Sequence, residues 1–155
     1  MTRTDALIYG VPSKAVWQVW PQARRHIAAA LVHAPRHRLA EVKEWCENRD
    51  AQLWVYGRPR DLATGFPKKV EAALVTKLVR HPDETDLRLL IFAFGADDLK
   101  DVLPLLAELE RLARLKDCKS VELMAPPRRR GWLRLLKGYS PIGTADGAFH
   151  LRKML

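Results

Sequence analysis

Residues 87–124 constrain this chain most, because they read as strand, helix and strand with both strands buried. LRLLIFAF (Leu87–Phe94) is a continuous apolar run closed by Gly95, the length and composition of a strand covered on both faces. GADD then leads into a leucine-rich helix from Leu99 to about Leu115, where Leu99, Val102, Leu106, Leu109 and Ala113 recur at helical spacing. Asp117 and Lys119 flank a break, and SVELM (Ser120–Met124) reads as a second buried strand. Two buried strands joined through one helix are expected to be parallel neighbours with a right-handed crossover. The expected fold class is therefore mixed α/β. Leu106 is expected on the buried face of the helix.

The rest of the chain supplies antiparallel neighbours for that unit. DALIYGVP (Asp5–Pro12) reads as an edge strand. Ser13 is expected to cap a helix whose apolar side carries Val16, Trp17, Trp20, Ile27 and Leu31, with a kink or fresh start at Pro21. APRH (Ala34–His37) breaks it, and Leu39, Val42, Trp45 and Cys46 mark a second amphipathic helix. AQLWVYG (Ala51–Gly57) and VEAALVTKLVRHP (Val70–Pro82) read as strands joined by the turn-rich RPRDLATGFPKK. Beyond the central unit come a basic loop, APPRRRG (Ala125–Gly131), a short helix WLRLLKGY (Trp132–Tyr139), and a final strand or hairpin around Ala148–Met154. The 155 residues fit one domain, 1–155.

Charge narrows the partners. Lys and Arg number 27 against 18 acids, a formal +9, which favours nucleic acid, phosphate or acidic protein surfaces. Arg128, Arg129 and Arg130, preceded by two prolines and followed by Gly-Trp, form the tightest basic cluster and the candidate partner-binding site. No apolar run is long enough to span a membrane, and MTRTDALIYG lacks the zones of a signal peptide. Cys46 and Cys118 read as buried thiols of a reducing compartment. His26, His33 and His37 are spaced too loosely for a zinc site, so no metal is expected.

The element order resembles that of the GNAT (GCN5-related N-acetyltransferase) superfamily. Its best local match is LKDCKSVELM followed by RRGWLRLLKGYSPIG. VWQVWPQA and AQLWVYG add a likeness to short GNAT-like proteins of phages and prophages, some carried in virions. The resemblance implies a mostly antiparallel central sheet with helices on both faces. In catalytic members, the turn after the fourth strand presents backbone N–H groups to the pyrophosphate of acetyl-CoA. Here that stretch is Phe94-Gly95-Ala96-Asp97-Asp98-Leu99-Lys100-Asp101, with one glycine and three carboxylates.

Asp97 and Asp98 are expected to repel a pyrophosphate and to serve instead as helix caps. Pro104 interrupts the opening turns of the helix. Aligning Gly138-Tyr139 with the family's glycine–aromatic pair puts Arg134 where many members carry a thiolate-protonating tyrosine. Glu71 is the one attractive carboxylate for a base. These departures give the expectation of a non-catalytic phage or prophage protein with no cofactor and no catalytic residues. It would be a virion-associated or accessory component meeting other virion proteins or DNA, in the virion or host cytoplasm. The alternative is an acetyl-CoA-dependent N-acetyltransferase with an atypical loop, holding the cofactor at Phe92, Phe94, Gly95 and Ala96.

Overall fold

The structure is a computed structural model that describes residues 7–31, 37–58, 60–80, 86–125, 136–145 and 148–155. In chain order the elements are β1 (Leu7–Val11), a 3-10 turn (Ser13–Ala15), α1 (Val16–Leu31), α2 (Leu39–Glu47), β2 (Gln52–Gly57), β3 (Val70–Arg80) and β4 (Leu87–Ala96). There follow a 3-10 turn (Leu99–Asp101), α3 (Val102–Leu115), β5 (Cys118–Ala125), β6 (Ser140–Ala145) and β7 (Ala148–Met154). The strands form one sheet in the order β1-β2-β3-β4-β5-β7-β6. Every neighbouring pair is antiparallel except β4 and β5, which run parallel.

Each face of the sheet carries its own core. On one, α3 lays Val102, Leu105, Leu106, Leu109 and Ala113 over Leu89, Ile91, Val121 and Leu123. On the other, α1 and α2 lay Val19, Ala23, Ile27, Val42 and Cys46 over Leu53, Val55, Ala73, Val75 and Ala93. The central strands are apolar throughout because both of their faces are covered. α3 is followed by a turn through Asp117, whose φ of 60° is the left-handed conformation that an aspartate tolerates better than most residues.

β4 changes phase partway along. Ile91 pairs with Thr76 and Ala93 with Val75, so Phe92 is an extra residue opposite β3. Leu89 and Ile91 face α3, Phe92 and Ala93 both face α1 and α2, and Phe94 faces α3 again. That is the side-chain signature of a β-bulge.

Several local expectations need correction. α1 runs unbroken from Val16 to Leu31 with Pro21 inside it. Pro21 lies on the exposed face, where the one missing N–H costs a single intrahelical bond. Trp17 is 65% exposed, not core, whereas Trp20 is buried. The position before the first turn belongs to Pro12, and Ser13 lies inside the turn with no capping bond. Pro104 does not interrupt α3. It occupies the third helical position, whose N–H has no intrahelical acceptor in any case. The tail forms a two-stranded hairpin, β6 with β7. Of the expected short helix, residues 132–135 lie outside the described residues.

Candidate active site at the β4–β5 fork

Parallel strands stay paired only while their directions agree. The β4–β5 ladder runs from Leu87↔Cys118 to Ile91↔Leu123 and stops there among the described residues, although β4 continues to Ala96 and β5 to Ala125. The bulge at Phe92 falls where the strands part, since an extra residue bends the strand that carries it. The result is a fork. On its α3 side, Leu74, Ile91, Phe94, Val102, Leu106, Leu123 and Leu136 line a small apolar cavity.

At the far end of β4 the acidic loop is tied down by the rest of the protein. Arg25 of α1 donates two hydrogen bonds to Asp97, at 2.6 and 2.9 Å, and this guanidinium holds the Asp97 carboxyl below its ordinary range. The Asp97 N–H donates to the Glu71 carbonyl at 2.9 Å. Asp98 Oδ1 accepts from the Lys100 N–H at 3.0 Å and its carbonyl accepts from the Asp101 N–H at 2.9 Å. Asp98 is thus the expected cap, while Asp97 is an ion-pair partner and not a cap. Burial, then the neighbouring Glu71, pushes the Asp101 carboxyl up. Replacing Asp98 by alanine should cost about 0.5–2 kcal/mol, as loss of a capping acceptor does. Chemical denaturation measures it.

Gly95 has a different job from the one a phosphate loop would give it. A Cβ there would stand 2.3 Å from the His26 carbonyl oxygen of α1, so the glycine permits backbone contact between β4 and α1. His26 Nε2 meets the Val70 carbonyl at 3.1 Å, and Gln22 bridges Lys68 and Val70. α1 therefore ties the start of β3 to the end of β4.

The face of the fork opposite α3 carries two side-chain clusters. In the first, Phe92 packs edge-on against His37 and Trp45, with centroids 4.7 and 5.4 Å away, and Lys77 Nζ lies 3.6 Å from the Trp45 ring centroid. The second lies one row before the ladder ends. Register aligns Lys77, Leu90, Glu122 and Arg152 across β3, β4, β5 and β7. Glu122 has only 5% of its side chain exposed. Arg88 donates to its Oε2 at 3.2 Å, and His150 Nε2 lies 2.7 Å from its Oε1, close but misaligned for a hydrogen bond. Arg152 approaches Oε1 only to 3.6 Å, and its buried Nε has no hydrogen-bond partner.

The expected site residues fare unevenly. Phe92, Phe94, Gly95 and Ala96 share the end of β4, but their side chains diverge onto two faces, so what they offer jointly is main chain. Glu71 pairs with Arg58 at 3.2 Å beside the loop, away from the role of a base. Tyr139 is buried, and its hydroxyl donates to Glu110 Oε1 at 3.4 Å. Burial and that carboxylate push its hydroxyl well up, so it acts as a packing residue. Arg128, Arg129, Arg130 and Arg134 lie outside the described residues. Among the described residues no three histidines, cysteines or acids are placed to hold a metal, and no helix is long and apolar enough to cross a membrane. Cys46 and Cys118 are free and buried, and burial pushes the Cys46 thiol up to about 12.

Glu122, His150 and Arg152 were missed in the sequence. A signal was present. Strand alternation puts His150 and Arg152 on one face of AFHLRKM, and it puts the lone carboxylate of SVELM on the face opposite Val121 and Leu123.

No protein-family model matches the sequence, and no curated protein matches it. Solved structures do. The PaiA N-acetyltransferase of Thermoplasma acidophilum, solved with coenzyme A, superposes with a TM-score of 0.65 over 100% of both chains at 10% identity. Arabidopsis thaliana Naa50, in complex with a bisubstrate analogue of CoA, gives 0.65 over 97% of this chain and 99% of its own at 12% identity. A GNAT-family acetyltransferase of Listeria monocytogenes gives 0.64 over 97% and 95% at 10% identity. These neighbours overturn the expectation of a non-catalytic virion component, because they are acetyltransferases, and they leave the expectation of no cofactor without support, since two of them were solved with coenzyme A or an analogue of it. The charge argument behind that expectation weakens as well, since Asp97 is neutralised by Arg25. With its seven-stranded sheet forked between β4 and β5 and helices on both faces, the chain has the GNAT fold.

Proposed function

We propose that the protein is an acetyl-CoA-dependent N-acetyltransferase. The observation that carries this reading is the fork, where a bulged β4 parts from β5 beside an apolar cavity. The residues there suit the acyl arm of the cofactor. The main chain of Phe92–Ala96 provides a strand edge for its amides, and the apolar wedge around Ile91, Phe94 and Leu123 excludes water from it. The phosphate end is less usual, with the N–H groups of Asp97, Lys100 and Asp101 already engaged within the protein. There the exposed Lys69 and Lys100 are available cations.

Acetyl-CoA supplies the acetyl group as a thioester, and a new amide forms as the C–S bond breaks and the coenzyme leaves as its thiol. The chain's part is to orient the acceptor amine and take its proton. Glu122, backed by His150 on the face opposite α3, is placed for that. Titration calorimetry with acetyl-CoA at low salt, where screening is least, is expected to show saturable micromolar binding. Absence of heat there, together with no thermal shift at saturating coenzyme, would rule out the reading. A ligand at about 100 times its dissociation constant adds roughly 2.7 kcal/mol.

A further inference from the structure

The polar cluster beside the fork has more positive charge than its one carboxylate balances. Glu122 accepts from Arg88 at 3.2 Å, and His150 Nε2 lies 2.7 Å from its other oxygen without being aligned to donate to it. Arg152 and His150 are both left with a buried nitrogen that has no hydrogen-bond partner. A guanidinium is always protonated and carries five donors, yet the nearest Glu122 oxygen is 3.6 Å away and the buried Nε has no hydrogen-bond partner. A buried donor without an acceptor is costly, so the site is built to receive an anion. Arg152 and His150 each keep 30% of the side chain exposed, which leaves that anion a way in.

Position narrows the ligand. Arg152 and Glu122 are directly paired across β7 and β5, and alternation puts both side chains on the face opposite α3. The next row is Ile91↔Leu123, where the ladder ends. A carboxylate and a guanidinium on directly opposed residues match a molecule whose ammonium and carboxylate share one carbon. Resting on the acetyltransferase reading, we propose that the acceptor is a free α-amino acid. Its amino group faces Glu122 and His150, and its carboxylate binds Arg152. Leu90 and Met124, half-buried on the same face, and the His37–Trp45–Phe92 cluster offer apolar surface to its side chain.

The test compares each of the twenty amino acids with its α-carboxamide as acceptor. Thiol release from acetyl-CoA is followed for wild type and Arg152→Gln, with acetyl-CoA binding measured by calorimetry on the same samples. At least one free amino acid should exceed its amide in kcat/KM by about tenfold or more, the worth of one charge-assisted hydrogen bond. Arg152→Gln should raise KM for that amino acid by a similar factor and bring the acid-to-amide ratio of kcat/KM close to one. Amides turned over as well as acids would overturn the assignment. So would equal loss on both substrates in a variant that melts like wild type.

Should Arg152→Gln fail to fold, the acid-to-amide ratio of wild type decides alone. Acetyl-CoA bound without transfer to any amino acid overturns this assignment and spares the transferase reading. No acetyl-CoA binding overturns both.

Discussion

Glu122→Ala should lower stability by about 3–5 kcal/mol, the usual cost of removing one partner from a buried ion pair. In a domain of this size that is roughly 6–20 °C in Tm. In the middle of the sheet the carboxylate accepts from Arg88 and lies 2.7 and 3.6 Å from His150 and Arg152. Without it, Arg88 and Arg152 lose the carboxylate that both approach. Arg152→Gln should cost far less, because Glu122 keeps Arg88 and His150. Thermal melts of the two variants check the pair of values. A Glu122→Ala loss below about 1 kcal/mol would show that water already screens the cluster, and would remove the physical basis for an anion site there.

Leu106→Ala is expected to cost about 2–5 kcal/mol, in the upper part of the range for large-to-small changes. Leu106 is 5% exposed and borders the apolar cavity under α3 together with Ile91 and Leu123. Its neighbours are held by the sheet and by α3 itself, so they close only partly over the deletion. Urea denaturation with an unchanged m-value would read this directly. A loss under half a kcal/mol would mean that the α3 side of the fork collapses easily.

The central unit was legible because its signal is local. A strand covered on both faces is apolar at every position, and an amphipathic helix repeats every three or four residues, so Leu87–Leu123 announced itself. The loop was legible in part. Asp98 caps through a backbone group two residues on, whereas Asp97 answers to Arg25, 72 residues away in sequence, and no local pattern links them. Gly95 was read as the remnant of a phosphate loop, since a glycine looks the same whether a ligand or a helix backbone presses on it. Glu122, His150 and Arg152 were hidden for a related reason. Each is one polar residue in an apolar strand, and only the register of β5 with β7 turns three singletons into one site.

The phase change at Phe92 bears on how this chain can diverge. Before it, even-numbered residues of β4 face α1 and α2; after it, odd-numbered ones do. Loss of the extra residue would leave the composition almost untouched, yet it would rotate everything beyond it by half a turn. Phe94 would be driven towards α1, and Gly95, the residue able to lie against the His26 carbonyl, would be turned away from that contact. Side chains around the fork can therefore drift while the length of β4 stays frozen. Among distant relatives, the spacing between Ile91 and Gly95 should outlast the identity of every residue within it.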